Sequence, residues 1–240
     1  MDMTDLEEKL KATKDKRLRV IATDGVFSMD GDIAPLKEIC DLADKYDALV
    51  MIDDAHAIGV MGKNGGGTPE HCGVADRVDF ITGTFGKALG GAGGAFTATR
   101  KEAAEYLRNR SRTYLFSNSL DTAVTGASLF LIGYLKSHPE YRERLWENTK
   151  FFRELMKKNG FSVPDAEHPI TPIMLGDERK AVDMAKALLE EGIYVIGFAF
   201  PVVPKGKARI RVQVSAAHTK EDIEIAVQKF TEVGKKFGVV

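Results

Sequence analysis

Ala48-Leu49-Val50-Met51-Ile52-Asp53-Asp54-Ala55-His56 is an apolar run that ends on two carboxylates and an imidazole. Its first five residues show no polar alternation, which marks a strand covered on both faces. Open α/β sheets bind ligands just beyond the carboxyl ends of such strands, so the polar tail of this run is where chemistry is expected. Working outward, residues 18–23 (Leu-Arg-Val-Ile-Ala-Thr) form a β-rich stretch that stops at Asp24-Gly25. Between the two strands, Pro35 opens a helix over 36–45 whose inner face is Leu36, Ile39, Cys40, Leu42 and Ala43. Residues 5–16 read as an amphipathic helix, with Leu6 and Leu10 one turn apart. Downstream come a glycine-rich loop over 62–67, a short buried strand over 80–84 and a fourth strand over 93–99. Strands alternating with helices predict an α/β sheet with crossover connections, mostly parallel and flanked by helices.

The character of the chain changes near residue 100. Residues 101–110 predict a charged helix and 120–137 a long, buried, apolar one. Residues 139–159 predict a charged amphipathic helix that ends at Gly160. The remainder reads as a small α+β unit. Its strands are expected over 170–175, 194–198 and 209–214, and its helices over 180–191 and 220–237. His138-Pro139 interrupts the apolar pattern and places a boundary at 137–150. The division is a large domain over 1–140 and a small C-terminal domain over 141–240.

Lys plus Arg number 34 and Asp plus Glu 35, a net charge of −1, which argues against nucleic acid as a partner. Apolar residues at 44% and charged ones at 29% suit a globular chain with a packed core. The two cysteines, Cys40 and Cys72, form no spacing motif, so a disulfide scaffold or zinc ribbon is not expected and a reducing cytoplasm is. No apolar run reaches the length of a membrane span, and the acidic N-terminus carries no signal-peptide pattern.

Lys87 lies in Thr82-Gly83-Thr84-Phe85-Gly86-Lys87-Ala88-Leu89-Gly90-Gly91. A phosphate-gripping P-loop is excluded, because Ala88 stands where Ser or Thr is needed and no glycine stands at 81. Against the reading as a solvated loop lysine stands a Schiff-base lysine, an amine in a cramped loop where Gly83, Gly86, Gly90, Gly91, Gly93 and Gly94 let backbone approach a flat ring and its phosphate. Asp53 is then the acid that keeps a pyridine nitrogen protonated, which together with the lysine is the pair a pyridoxal phosphate enzyme needs. Its plain alternative is a strand-end carboxylate that caps a turn. Asp54 faces the other side of the strand and is expected to be structural. His56 is either an ordinary histidine or part of that site; a metal centre from His56, Glu70, His71 and Cys72 lacks ligand spacing. Arg209-Ile210-Arg211 sits on a strand, where an inward arginine suits bidentate capture of a carboxylate and an outward pair merely discourages edge pairing. Ser117-Asn118-Ser119 either caps the next helix or binds phosphate.

Together these residues resemble the α-oxoamine synthase family of fold-type I pyridoxal phosphate enzymes. The stretches that carry the resemblance are Thr23-Asp24-Gly25-Val26-Phe27-Ser28-Met29-Asp30-Gly31, Asp53-Asp54-Ala55-His56, residues 82–91, residues 114–120 and residues 201–218. The resemblance implies a partial fold-type I large domain plus a small C-terminal α+β domain. It also implies roles. Lys87 would carry the cofactor in an imine and take the α-proton, and Asp53 would hold the pyridine nitrogen. Ser28 and His56 would lie near the phenolic oxygen, Ala55 under the ring and Thr84 at the phosphate. Ser117 and Asn118 would reach the phosphate of a neighbouring subunit's cofactor, making the site that of a homodimer. Arg211 would clamp the substrate carboxylate. The implied reaction condenses glycine with acetyl-CoA; the reverse serves threonine breakdown. Pimeloyl-CoA with alanine, plain transamination and a non-catalytic incomplete domain are the alternatives. The family's upstream segment, with its ring-stacking aromatic or histidine and its glycine-rich phosphate loop, has no counterpart here. The chain is therefore expected to be a C-terminal portion with weak cofactor binding and little activity.

Overall fold

The computed structural model describes residues 1–90 and 93–240. Gly91, counted above among the loop glycines, lies outside the described residues. The chain forms two units, Met1–Phe27 with Ile33–Pro139, and Ser28–Asp32 with Glu140–Val240.

In the first unit, α1 (Met3–Ala12) leads into β1 (Val20–Asp24), α2 (Leu36–Tyr46) and β2 (Leu49–Asp53). Asp2 caps α1 by accepting from the Asp5 amide at 3.0 Å. After β2 come the short α3 (Thr68–Cys72), β3 (Phe80–Thr84), β4 (Ala95–Thr99), α4 (Lys101–Arg110), α5 (Arg112–Leu115) and α6 (Thr122–Ser137). The sheet order is β1-β2-β3-β4, parallel across β1, β2 and β3, with β4 antiparallel on β3. One packed face supplies the core. Leu36, Ile39, Cys40 and Ala43 of α2 and Leu10 of α1 bury against Ile21, Val50 and Ile52. Burying each of the leucine, isoleucine and valine side chains contributes about 1.5–3 kcal/mol, which outweighs the weak propensity of five-residue strands.

Helix α6 departs from expectation. It forms in place, capped by Asp121, whose carboxylate accepts from the Ala123 and Val124 amides at 2.8 and 3.3 Å. It is not buried, however. Leu129 is 74% exposed and Phe130 67%, and Ser128 alone is buried among its described residues. A helix that is apolar all round declares that it wants covering but not what covers it. The cap at Asp121 also corrects the reading of Ser117-Asn118-Ser119 as a cap; these three residues are exposed.

In the second unit, α7 (Glu140–Lys158) is followed by β5 (Ile170–Gly176), α8 (Glu178–Glu190), β6 (Ile196–Phe198), β7 (Ala208–Gln213) and α9 (Lys220–Lys236). The strand order is β5-β7-β6, antiparallel throughout. Thr219 and Asp222 form a capping box at the start of α9. Phe152, Met156, Ile173, Met184, Leu188, Ile210 and Phe230 make its core. Among the described residues, no helix is long and apolar enough to cross a membrane.

Candidate active site

In the first unit the parallel register aligns Asp24, Asp53 and Thr82 across three neighbouring strand ends. The backbone enforces this, since the Gly25 amide donates to Asp53 O at 2.8 Å and the Asp54 amide to Thr82 O at 2.8 Å. Both carboxylates are exposed. Partial burial raises the Asp24 pKa first, the Asp53 charge raises it further, and Lys87 pulls it back. Asp24 thus lies within electrostatic reach of both Asp53 and Lys87, at the carboxyl edge of the sheet. Asp24 is the addition; the strand-end rule pointed to it, but no role was assigned. Asp53 Oδ1 accepts the Ala55 amide at 2.9 Å. His56 is half-buried three residues on.

Lys87 is exposed and sits at the start of a turn in which the Gly90 amide donates to Lys87 O at 2.9 Å. Two bonds close the loop that carries it: Thr84 Oγ1 donates to Gly94 O at 3.1 Å, and the Phe85 amide donates to the same oxygen at 3.0 Å. Thr84 Oγ1 also accepts the Gly86 amide at 3.1 Å. A phosphate contact by this hydroxyl's proton thus requires it to leave Gly94. Two of the loop's glycines have a reason other than the expected approach of a ligand. A Cβ at Gly83 would stand 2.5 Å from the Phe96 ring, and one at Gly94 2.3 Å from Leu120 Cδ1.

Asp54 is fully buried, as the strand alternation predicts. Its Oδ2 accepts the Thr68 amide at 2.8 Å and its Oδ1 the Thr68 hydroxyl at 2.5 Å. Burial pushes its pKa up to about 6 against the pull of those two bonds. Glu70, weighed above as a metal ligand, instead accepts from the Asn64 and Gly66 amides and from Asn64 Nδ2, closing the glycine-rich loop. Among the described residues no group of three or more His, Cys, Asp or Glu side chains could hold a metal.

In the second unit, Arg209 and Arg211 share one face of β7 while Ile210 packs into the core behind them. Arg211 is half-buried, its Nη1 donates to Ser28 O at 2.8 Å, and its guanidinium lies 4.8 Å from the Phe198 ring centroid. Burial lowers its pKa. Arg209 is 3% exposed; it pairs with the Asp30 carboxylate and donates from Nη1 to Met29 O at 3.1 Å and from Nε to Lys207 O at 3.0 Å. Neither Phe198 nor the Arg209–Asp30 pair was foreseen. The i, i+2 spacing of the arginines was the available signal, but their partners lie far away in sequence.

A family model, Aminotransferase class I and II, matches residues 1–230. The chain belongs to that family. This aminotransferase-family chain is 57% identical over 241 residues to the 2-amino-3-ketobutyrate coenzyme A ligase of Escherichia coli (strain K12), covering all of itself and 61% of the relative. It is 52% identical over 239 residues to the 8-amino-7-oxononanoate synthase of Thermosipho melanesiensis, again over all of itself and 61% of the relative. Among solved structures it matches SPT with PLP internal aldimine at TM-score 0.95 and 34% identity, covering 100% of this chain and 60% of that one. The chain thus spans about three-fifths of the length of these relatives. The TM-score agrees with the expected partial fold-type I architecture, a mixed sheet with flanking helices.

Proposed function

We propose that this chain acts as a pyridoxal-phosphate-dependent acyltransferase that joins glycine to the acetyl group of acetyl-CoA. The products are 2-amino-3-ketobutyrate and CoA, and the reverse cleavage serves threonine breakdown. The carrying observation is the grouping of Asp24, Asp53 and Lys87 beyond adjacent strand ends. The identity to the ligase supports the choice of substrates.

The residues present fit the cofactor. Asp53 is exposed and spends one oxygen on a backbone amide, so a ring N–H can meet the other. Lys87 is an accessible amine, and Ala55 is small enough to lie beneath a ring. When bound, pyridoxal phosphate supplies an electron sink for the charge left at the α-carbon of the amino acid. Asp53 holds the ring nitrogen protonated. Ser28 and His56 serve the phenolic oxygen, and Thr84 serves the phosphate. Ser117 and Asn118 serve the phosphate in a neighbouring subunit, so the working form is a homodimer, placed in the cytoplasm.

Lys87 is the point of attachment, and its Nζ takes the α-proton of glycine. A carbon–carbon bond forms between that α-carbon and the acetyl carbonyl carbon, the thioester C–S bond breaks, and CoA leaves as a thiolate that collects a proton. Arg211 holds the substrate carboxylate. Its one bond to Ser28 O and its stacking on Phe198 leave guanidinium N–H groups for a bidentate contact.

Borohydride reduction of the 240-residue chain with pyridoxal phosphate, followed by peptide mapping, tests the reading. The tag is expected on Lys87; a tag on another lysine, or none, overturns it. Thiol release from acetyl-CoA with glycine, set beside pimeloyl-CoA with alanine, tests the substrates. The second pair is the reading favoured by the 52% identity to the oxononanoate synthase.

A further inference from the structure

Arg209, 3% exposed, is a deeply buried cation that the proposed reaction leaves without a task. It and Arg211 reach the same short segment, Ser28–Asp32, which the chain contributes to the second unit. Arg211 takes Ser28 O, and Arg209 takes Met29 O and the Asp30 carboxylate. Three consecutive residues thus supply acceptors to two arginines spaced i, i+2 on one strand face. The segment is also pressed close to β5. Gly31 is buried at φ +79°, and a Cβ there would stand 3.0 Å from Ile170 O.

We propose that Arg209 and Asp30 are positioning residues that hold the Ser28 carbonyl in place and thereby orient Arg211 for the substrate carboxylate. This rests on the reading of Arg211 given above. The Phe198 ring, 4.8 Å from the Arg211 guanidinium, attracts its charge but does not set the direction of its fork. The bond from Nη1 to Ser28 O fixes that direction. That oxygen lies on a surface segment whose neighbouring residues are anchored by Arg209. A buried guanidinium demands its carboxylate, since an unpaired buried charge is costly, so the Arg209–Asp30 pair is a stiff support. A flexible lysine at 209 keeps the charge but loses the planar fork that reaches Asp30 and Met29 O together.

The test measures glycine binding to the pyridoxal-phosphate-loaded chain by absorption titration, for Arg209→Lys, Asp30→Asn, Arg211→Lys and the double variant Arg209→Lys/Arg211→Lys. Amide hydrogen exchange of residues 28–32 is followed without cofactor. Arg209→Lys and Asp30→Asn are each expected to weaken glycine binding about tenfold, as a misplaced anchor does, and to speed exchange at 28–32. In the Arg211→Lys background, Arg209→Lys should add almost nothing, whereas a general structural defect would add its full effect. Asp30→Glu should restore most of the binding. If Arg211→Lys leaves glycine binding unchanged, the reading of Arg211 falls. If Arg211→Lys weakens binding while Arg209→Lys and Asp30→Asn do not, or if the two arginine effects simply multiply, the positioning role falls. Should Arg209→Lys fail to fold, the half-exposed Asp30→Asn with the exchange measurement decides alone: unchanged exchange at 28–32 overturns the proposal.

Discussion

Asp54 offers a stability measurement with a defined sign. Its side chain is wholly enclosed, and the enclosure is tight. A Cβ on Gly25 would stand 2.2 Å from Oδ1, and one on Gly67 1.8 Å from Oδ2. Burial raises the carboxyl pKa from 3.8 to about 6, with the Asp53 charge adding to the rise and the two Thr68 bonds opposing it. A carboxyl raised in the folded state binds its proton more tightly there than in the unfolded chain. Its stabilising contribution is therefore complete below pH 3.8 and is lost as pH rises through about 6. At about 1.36 kcal/mol per pH unit, the difference converts to about 3 kcal/mol. Asp54→Asn cannot ionise. Its amide can still offer an oxygen to the Thr68 amide and an N–H to the Thr68 hydroxyl, at a rearrangement cost of about 1 kcal/mol.

The assay is urea unfolding followed by circular dichroism, for wild type and Asp54→Asn, across the range from about pH 3.5 to about pH 7.5. Other carboxylates contribute at the acid end of this range: Glu7, lowered to about 2 in the fold by Lys45, Tyr46 and Lys11, takes up its proton there only in the unfolded chain, whose value is 4.5. The quantity to read is accordingly the difference between the two proteins. The variant is expected to gain on wild type by about 3 kcal/mol between about pH 4 and pH 6, with no further change above that. Parallel curves through the window would refute the reasoning, because they would mean that the enclosed carboxylate titrates as it does in the unfolded chain. A gain in the opposite direction would mean that Thr68 outweighs burial.

Gly67→Ala is expected to destabilise by at least about 3 kcal/mol, since φ is +90° there and the new Cβ meets the Asp54 carboxylate; a thermal melt indistinguishable from wild type would contradict this. Arg153→Met is expected to cost about 2–4 kcal/mol in urea unfolding. The guanidinium donates to Thr171 Oγ1 at 3.1 Å, His168 O at 2.6 Å, Ile170 O at 2.8 Å and also to Ala166 O, and methionine leaves all four acceptors short of a donor.

Legibility in the sequence followed range. Signals spread over one element were readable. The strand over 80–84 and the helix over 101–110 have the bounds expected, and the apolar run at 48–52 is β2, shifted by one residue, but only Val50 and Ile52 of β2 and Gly83 of β3 are buried, so neither strand is covered on both faces as its composition suggested. Elements of four or five residues, α3 and α5, are too short to display a period and were not seen. What depends on distant partners was invisible. Gly83 is small because of Phe96 and Gly94 because of Leu120, whereas composition alone suggested a ligand for both. Arg209 and Asp30 stand 179 positions apart. The apolar composition of α6 was read correctly as a demand for cover but wrongly as its fulfilment.

A common rule links the two candidate sites. Both present doubled like charge: Asp53 beside Asp54 in sequence, Asp24 beside Asp53 across strands, and Arg209 with Arg211 along β7. Like charges this close repel. In each case the fold takes one member towards neutrality. Asp54 is turned inward with its pKa near neutral, Asp24 is shifted upward, and Arg209 is matched to Asp30. The other member stands on the accessible side: Asp53 is exposed and Arg211 half-buried. On the reading proposed above, the paired residue sets geometry and its neighbour meets the ligand. The enclosed members, Asp54 held by Thr68 and Arg209 by Asp30, therefore bear on the proposed chemistry through their neighbours in the chain and not by contact with a ligand.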